Sequence, residues 1–213
     1  MSRKRISLYG AVGMAAMGLI ASAASAESVT SAGGSIPDNL PLTPLVVTFN
    51  VVDSGSVASV DLTMTGLTHT WAGDLIATLT APGGAVADIM RRPEDDTPTS
   101  TVGDSSNFGG NYRFIDSGGS LATALNGTAN VPSGDYQASS RAALATDPNT
   151  PVVLNTVFGG VASAGTWTLR VSDNAGLDLG ALTSATLNVV VPEPTSLGLI
   201  GAAGLGLLRR RRA

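Results

Sequence analysis

Through the middle of the chain the apolar residues recur at every second position and almost never at every third or fourth, and no other feature restricts the fold as much. In residues 165–171, Trp167, Leu169 and Val171 fall on one face and Thr166, Thr168 and Arg170 on the other, as a strand with one buried face requires. Val60, Leu62 and Met64 alternate in the same way with Asp61, Thr63 and Thr65, and Ala185, Leu187 and Val189 with Thr186 and Asn188. Clusters of Gly, Asp, Asn, Ser and Pro separate these segments, as turns separate strands. Strands without intervening helices must bury their apolar faces on one another, in two packed antiparallel sheets or a barrel. Two polar stretches, residues 91–110 and 132–151, break the alternation and read as long loops.

The ends of the chain obey other rules. Met1-Ser2-Arg3-Lys4-Arg5 is a basic cap, residues 6–19 form a short apolar run interrupted by glycine, and Ala24-Ser25-Ala26 precedes Glu27. Basic cap, apolar run and small-residue pattern are the three parts of an export signal, with the cut expected between Ala26 and Glu27. At the other end Val191-Pro192-Glu193-Pro194 is followed by an apolar run of thirteen residues, 196–208, and by Arg209, Arg210, Arg211 and Arg212. As a helix that run rises about 20 Å, against a hydrocarbon core of about 30 Å, so it suits a transient stay in a membrane better than a stable span. The arginines keep its C-terminal end on the cytoplasmic side and place everything before Pro192 outside. An ordinary tail anchor is the alternative. The order of parts resembles the PEP-CTERM sorting tag. That resemblance implies recognition of Pro192, Glu193, Pro194 and Arg209 to Arg212 by an exosortase-type processing enzyme, a membrane-embedded transpeptidase-like protein. It further implies delivery to the envelope, surface or extracellular matrix of a Gram-negative-type bacterium that makes exopolysaccharide.

Between the ends, residues 27–194 hold five arginines, no lysine and all sixteen acids, a formal charge of −11. Such a surface repels nucleic acid phosphates, favours divalent cations and keeps an exported protein in solution. The chain has no cysteine, so neither disulfides nor a cysteine nucleophile is available. The expected organisation is a signal peptide over 1–26, a flexible leader over 27–35, one β domain over 36–191 and the sorting tag over 192–213. No second, catalytic domain fits in that length.

Several pieces of the β-rich body resemble the P/Homo B domain, the jelly-roll module that follows the catalytic domain of kexin and other proprotein convertases. Ile36-Pro37-Asp38-Asn39 is similar to the family's opening. Leu67-Thr68-His69-Thr70-Trp71-Ala72-Gly73-Asp74-Leu75 resembles its His-Thr-aromatic-x-Gly-Asp-Leu signature, and residues 79–84 the strand and turn that follow. Residues 165–176, with Asp178 and Gly180, resemble its closing hairpin, while between Val86 and Ala164 only residues 108–116 match. The fold expected is therefore all-β, a jelly-roll-like antiparallel β-sandwich flanked by an N-terminal signal peptide and a short C-terminal hydrophobic helix. The resemblance also implies a partner, a separate subtilisin- or kexin-like serine protease that such a module would assist.

The residues capable of chemistry are few. His69 is the only histidine, which leaves no two-histidine zinc site, and no G-x-S-x-G elbow surrounds a serine. His69 is expected at a strand end in a structural role, and Trp71 and Trp167 as core side chains. Asp53-Ser54-Gly55 and Asp116-Ser117-Gly118 look like the tripeptide of aspartic proteases, whose two carboxylates share a proton; an ordinary turn after a strand has the same sequence. Exported sandwiches often gather hard oxygen donors at loop ends, so Asp74, Asp116, Asp173, Asn174 and Asp178 are the candidate ligands for calcium. The alternative is that each acid shapes its own turn. The function expected is interaction or structure, without catalysis. The competing reading is a lectin-like module binding exopolysaccharide, with Tyr112 or Tyr136 as its sugar contact, although nine aromatic residues in all are few for that purpose.

Overall fold

The computed structural model describes residues 24–95, 103–125, 129–141 and 148–192. The signal segment before Ala24 lies outside the described residues, as do Glu193, Pro194 and Arg209 to Arg212 of the tag. The body is an all-β protein built mainly from two sheets. The first has five strands in the order β1 (Ala24–Ile36), β11 (Gly180–Pro192), β3 (Ser59–His69), β6 (Phe108–Gly119) and β7 (Gly134–Tyr136). The second has four, in the order β2 (Leu45–Val51), β10 (Gly165–Asp173), β4 (Leu75–Thr80) and β5 (Val86–Arg91). A two-stranded ribbon, β8 (Ala138–Ser140) with β9 (Thr150–Val152), is added to them, and among the described strand pairs only β6–β7 is parallel. Two five-residue helices, α1 (Leu121–Leu125) and α2 (Leu154–Phe158), complete the described elements together with a 3-10 turn at Ala72–Asp74. No described helix is long and apolar enough to cross a membrane.

The alternating segments supply the core as their period demands. In β10, Trp167 lies opposite Phe49, Leu169 between Val47 and Leu79, and Val171 opposite Ala77. In the other sheet Leu187, Leu62 and Phe114 form one row across β11, β3 and β6. All of these except Val47 are fully buried, Val47 is nearly so, and both rows belong to a single apolar cluster. Each large side chain removed from water stabilises the sandwich by about 1.5–3 kcal/mol. The Trp167 indole keeps a hydrogen bond inside that core, donating to the Ser163 carbonyl at 2.8 Å.

Two expectations need correction. Residues 27–35 are no leader: they belong to β1, which pairs with β11 from Ala24 opposite Pro192 to Ile36 opposite Gly180. β1 escapes a hydrophobic reading because its inner face carries Ser25, Glu27, Val29 and Ser31 and works through hydrogen bonds. The Glu27 carboxylate accepts the Val52 and Asp53 amides at 2.7–3.0 Å, and Ser31 Oγ donates to the Thr48 carbonyl at 2.6 Å. These bonds join β1 to the edge of the other sheet and close one side of the sandwich. The second correction concerns residues 132–151, which contain β7, β8 and part of β9 rather than loop throughout. Strands of three residues place one or two side chains on each face, too few for a period to show.

Candidate functional site

One end of the sandwich gathers buried charge. β3 ends on His69, β10 ends on Asp173, and Gly180, the first residue of β11, lies opposite His69. A Cβ at Gly180 would lie 2.4 Å from His69 Cδ2 and 2.7 Å from the Thr68 carbonyl oxygen. Glycine at that position therefore gives the imidazole its space. His69 Nε2 faces Asp173 Oδ2 at 3.3 Å, with both side chains wholly buried. The alignment is poor for a hydrogen bond, and neither atom has another partner. The other ring nitrogen, Nδ1, lies 2.8 Å from the Trp71 carbonyl, and Asp173 Oδ1 accepts the Ala175 amide at 3.1 Å in an Asx-type turn.

Asp74 stands beside this pair on the 3-10 turn, with Arg92 Nη2 at 3.5 Å from its Oδ1. Burial pushes its carboxyl up to about 6, the charges of Asp173 and Asp178 add to the effect, and Arg92 and His69 oppose it. Asn174 ties the two turns together, donating from both its main-chain N and its Nδ2 to the Asp74 carbonyl at 3.0 Å. Asp178 accepts from Thr70 Oγ1 at 2.7 Å, and the same hydroxyl accepts the Leu179 amide at 3.2 Å. Four of the five expected cation ligands thus meet at one end of the fold.

Asp116 does other work. Its two carboxylate oxygens accept the Leu154 and Asn155 amides at 2.6 and 3.1 Å, the first free N–H groups of α2. Asp53 accepts instead from Ser25 Oγ at 2.6 Å. Among the described residues no hydrogen bond joins Asp53 to Asp116, the contact that a shared proton would need.

A second acidic cluster was not legible in the sequence. Carboxylate oxygens of Glu94, Asp95 and Asp104 lie within 4.8 Å of one another. Glu94 and Arg141 form a buried ion pair at 3.4 Å, and Arg141 also donates to the Arg92 carbonyl at 3.2 Å. Asn149 brackets the main chain of Glu94, accepting its amide at 3.3 Å and donating to its carbonyl at 2.6 Å. Burial, with Asp95 and Asp104, raises the Glu94 carboxyl above its ordinary value against the pull of Arg141. The two clusters share a wall. Gly103, at φ +76, lies where a Cβ would come within 2.4 Å of Gly73 Cα, and the Gly73 amide donates to the Asp104 carbonyl at 2.9 Å. Beside the second cluster a cavity of about 120 Å³ is lined by Asp95, Ser120, Gln137, Ser139 and Asn149, among others. These residues come from separate loops and short strands at no regular spacing, and no motif announces them.

The aromatic side chains are not arranged as sugar platforms. Tyr112 is fully buried, stacks edge-on against Phe108 at 4.9 Å and donates its hydroxyl to the Val131 carbonyl. Tyr136 is 7% exposed and donates to the Pro132 carbonyl at 2.7 Å. The expectation that either contacts sugar is therefore overturned by packing. Trp167 is the core plug expected, whereas Trp71 precedes the 3-10 turn and stays only half-buried.

Comparison with known proteins places one segment firmly. Residues 190–212 match the family model described as the PEP-CTERM protein-sorting motif. The chain ends in a PEP-CTERM sorting signal. Such a signal marks an exported protein sorted by exosortase to the envelope or surface of a Gram-negative bacterium. Among curated proteins none matches the sequence. Among solved structures, the serine protease of Aeromonas sobria in complex with the chaperone ORF2 is similar at 17% identity and a TM-score of 0.45, over 83% of this chain and 28% of that one. The crystal structure of the Aeromonas sobria serine protease is similar at 16% identity and a TM-score of 0.43, over 81% and 28%. The chain spans little more than a quarter of the length of those proteins, and likeness at this level carries no argument about activity.

Proposed function

We propose that this protein is a non-catalytic module resembling the P/Homo B domain, exported by its N-terminal signal and processed at its sorting tag. It would then act by contact at the cell surface or in the exopolysaccharide matrix, where it stabilises or assists a separate subtilisin- or kexin-like serine protease. The observation that supports this reading is a sorting signal attached to a sandwich whose single histidine is 1% exposed, beneath Gly180 and against Asp173. A base so enclosed has no route to a substrate. Asp53 and Asp116, the pair an aspartic protease would need, share no hydrogen bond among the described residues, and both carboxylate oxygens of Asp116 are taken by α2.

The calcium reading of Asp74, Asp173, Asn174 and Asp178 is weakened by the same geometry, because His69 faces one carboxylate and Arg92 the other. We take these residues to be countered from within the chain, and calcium to be dispensable for folding. An exopolysaccharide ligand would fall to the polar cavity near Asn149 rather than to an aromatic face. The test uses the purified exported protein. It is expected to cleave no peptide substrate, and to lengthen the active lifetime of a subtilisin-like protease secreted by the same cell. Cleavage that disappears in His69→Ala or Asp53→Asn would make the protein an enzyme and end this reading.

A further inference from the structure

The two expected processing positions lie opposite each other in a single ladder. Ala24 pairs with Pro192, Ser25 with Val191 and Ala26 with Val190. The signal is expected to end at Ala26, and Pro192 opens the Pro-Glu-Pro motif. On the far side of β11, β3 reaches only as far as Val190, which pairs with Ser59 and accepts the Ala58 amide at 2.8 Å. Val191 and Pro192 therefore have β1 as their one ladder partner among the described residues, and the residues that supply it are Ser25 and Ala24. A cut after Ala26 removes both. The rest of β1 stays in place, because Glu27, the new first residue, grips the Val52 and Asp53 amides from the other sheet.

We propose that the position of the first cut determines how readily the second is made. Removal of Ala24, Ser25 and Ala26 leaves the start of the sorting motif as an unpaired strand end, which a processing enzyme can take into its own site as an extended segment. A chain that keeps those three residues holds Val191 and Pro192 in the sheet, and the ladder must open before the motif can be bound. The proposal rests on the reading of Ala26 as the signal cleavage site and of the tag as an exosortase substrate.

The sequence offers its own test. Ala21-Ser22-Ala23 is a second A-x-A pattern three residues upstream, so Ala26→Leu should move the signal cut to follow Ala23. Position 26 is exposed on β1, where a leucine disturbs no packing. The full-length protein is made in its own host, and intact mass is followed in a pulse-chase. Wild type should begin at Glu27 and lose its tag. Ala26→Leu should begin at Ala24 and lose its tag roughly tenfold more slowly, the scale set by one or two backbone hydrogen bonds that must first open. A Gly-Ser-Gly-Ser insertion between Val191 and Pro192 should restore the wild-type rate in that variant, and Ala26→Ser should behave as wild type. Equal rates for chains beginning at Ala24 and Glu27 would overturn the proposal. A wild-type chain that loses its tag at full rate although its own N-terminus is at Ala24 or earlier would overturn it too, and would show that the signal reading had failed beneath it.

Discussion

The two acidic clusters meet the same electrostatic problem by different means. At the end of the sandwich, Asp173 is held by β10 and faces His69, while Asp74 is held by the turn before β4 and faces the Arg92 cation. The β3 and β10 ends bring His69 to Asp173, but the fit is imperfect: His69 Nε2, Asp173 Oδ2 and Arg92 Nε are buried without a hydrogen bond. In the loop cluster Glu94 and Arg141 come from segments 47 residues apart, with Asn149 bonded to both main-chain groups of Glu94. There the charges hold the loops together. Charged groups at strand ends whose place is already fixed by packing are adjustable, while ion pairs that define a loop are not. Breaking a buried pair of the second kind costs more than relieving one of the first.

The largest effect is accordingly expected at Arg141. Arg141→Met leaves Glu94 buried without its cation and should lower stability in urea by about 3–5 kcal/mol. Adding Glu94→Gln to that variant should recover a large part of the loss, since the stranded charge is then gone. Loss of the same size from His69→Gln would erase the contrast between the clusters. The expected figure there is about 1–3 kcal/mol, because the replacement leaves a polar group facing Asp173. Asp116→Ala, which belongs to neither set of ion pairs, should cost about 1–2 kcal/mol through the lost cap on α2.

The change with the most distinctive form belongs to Asp74. Its carboxyl is raised from 3.8 to about 6, so the fold binds that proton more tightly than the unfolded chain does. The resulting stabilisation is fully present below the unfolded value and is lost as pH rises through about 6. Urea midpoints taken from pH 4 to 8 should therefore show wild type losing ground to Asp74→Asn across that window. Parallel curves would mean that Arg92 and His69 neutralise Asp74 completely.

The same contrast explains what could be read from the sequence. β10, β3 and β11 alternate large apolar and polar side chains, and their inward residues are the core. Asp74, Asp173 and Asn174 lie in Gly-Asp-Leu and Asp-Asn-Ala-Gly stretches, whose turn chemistry marks strand ends. Their convergence with Asp178 follows from the ladder once strand order is known. β1 was hidden because its inner face binds backbone groups through Glu27 and Ser31 instead of burying hydrocarbon. Glu94, Asp104 and Arg141 were hidden because their meeting depends on loop paths, which no local period encodes. The cap that Asp116 supplies to α2 was hidden for a related reason. An aspartate that ends a strand and one that caps a distant helix look alike until α2 is placed beside it.

That the acids are balanced by the chain itself is tested most directly by melting the exported protein at neutral pH, once with excess calcium and once with chelator. A ligand bound only by the folded state must raise the midpoint. The two midpoints should coincide. A midpoint that falls by several degrees in chelator, and no longer does so in Asp74→Asn or Asp95→Asn, would show that a bound ion supplies charge assigned here to Arg92 and Arg141.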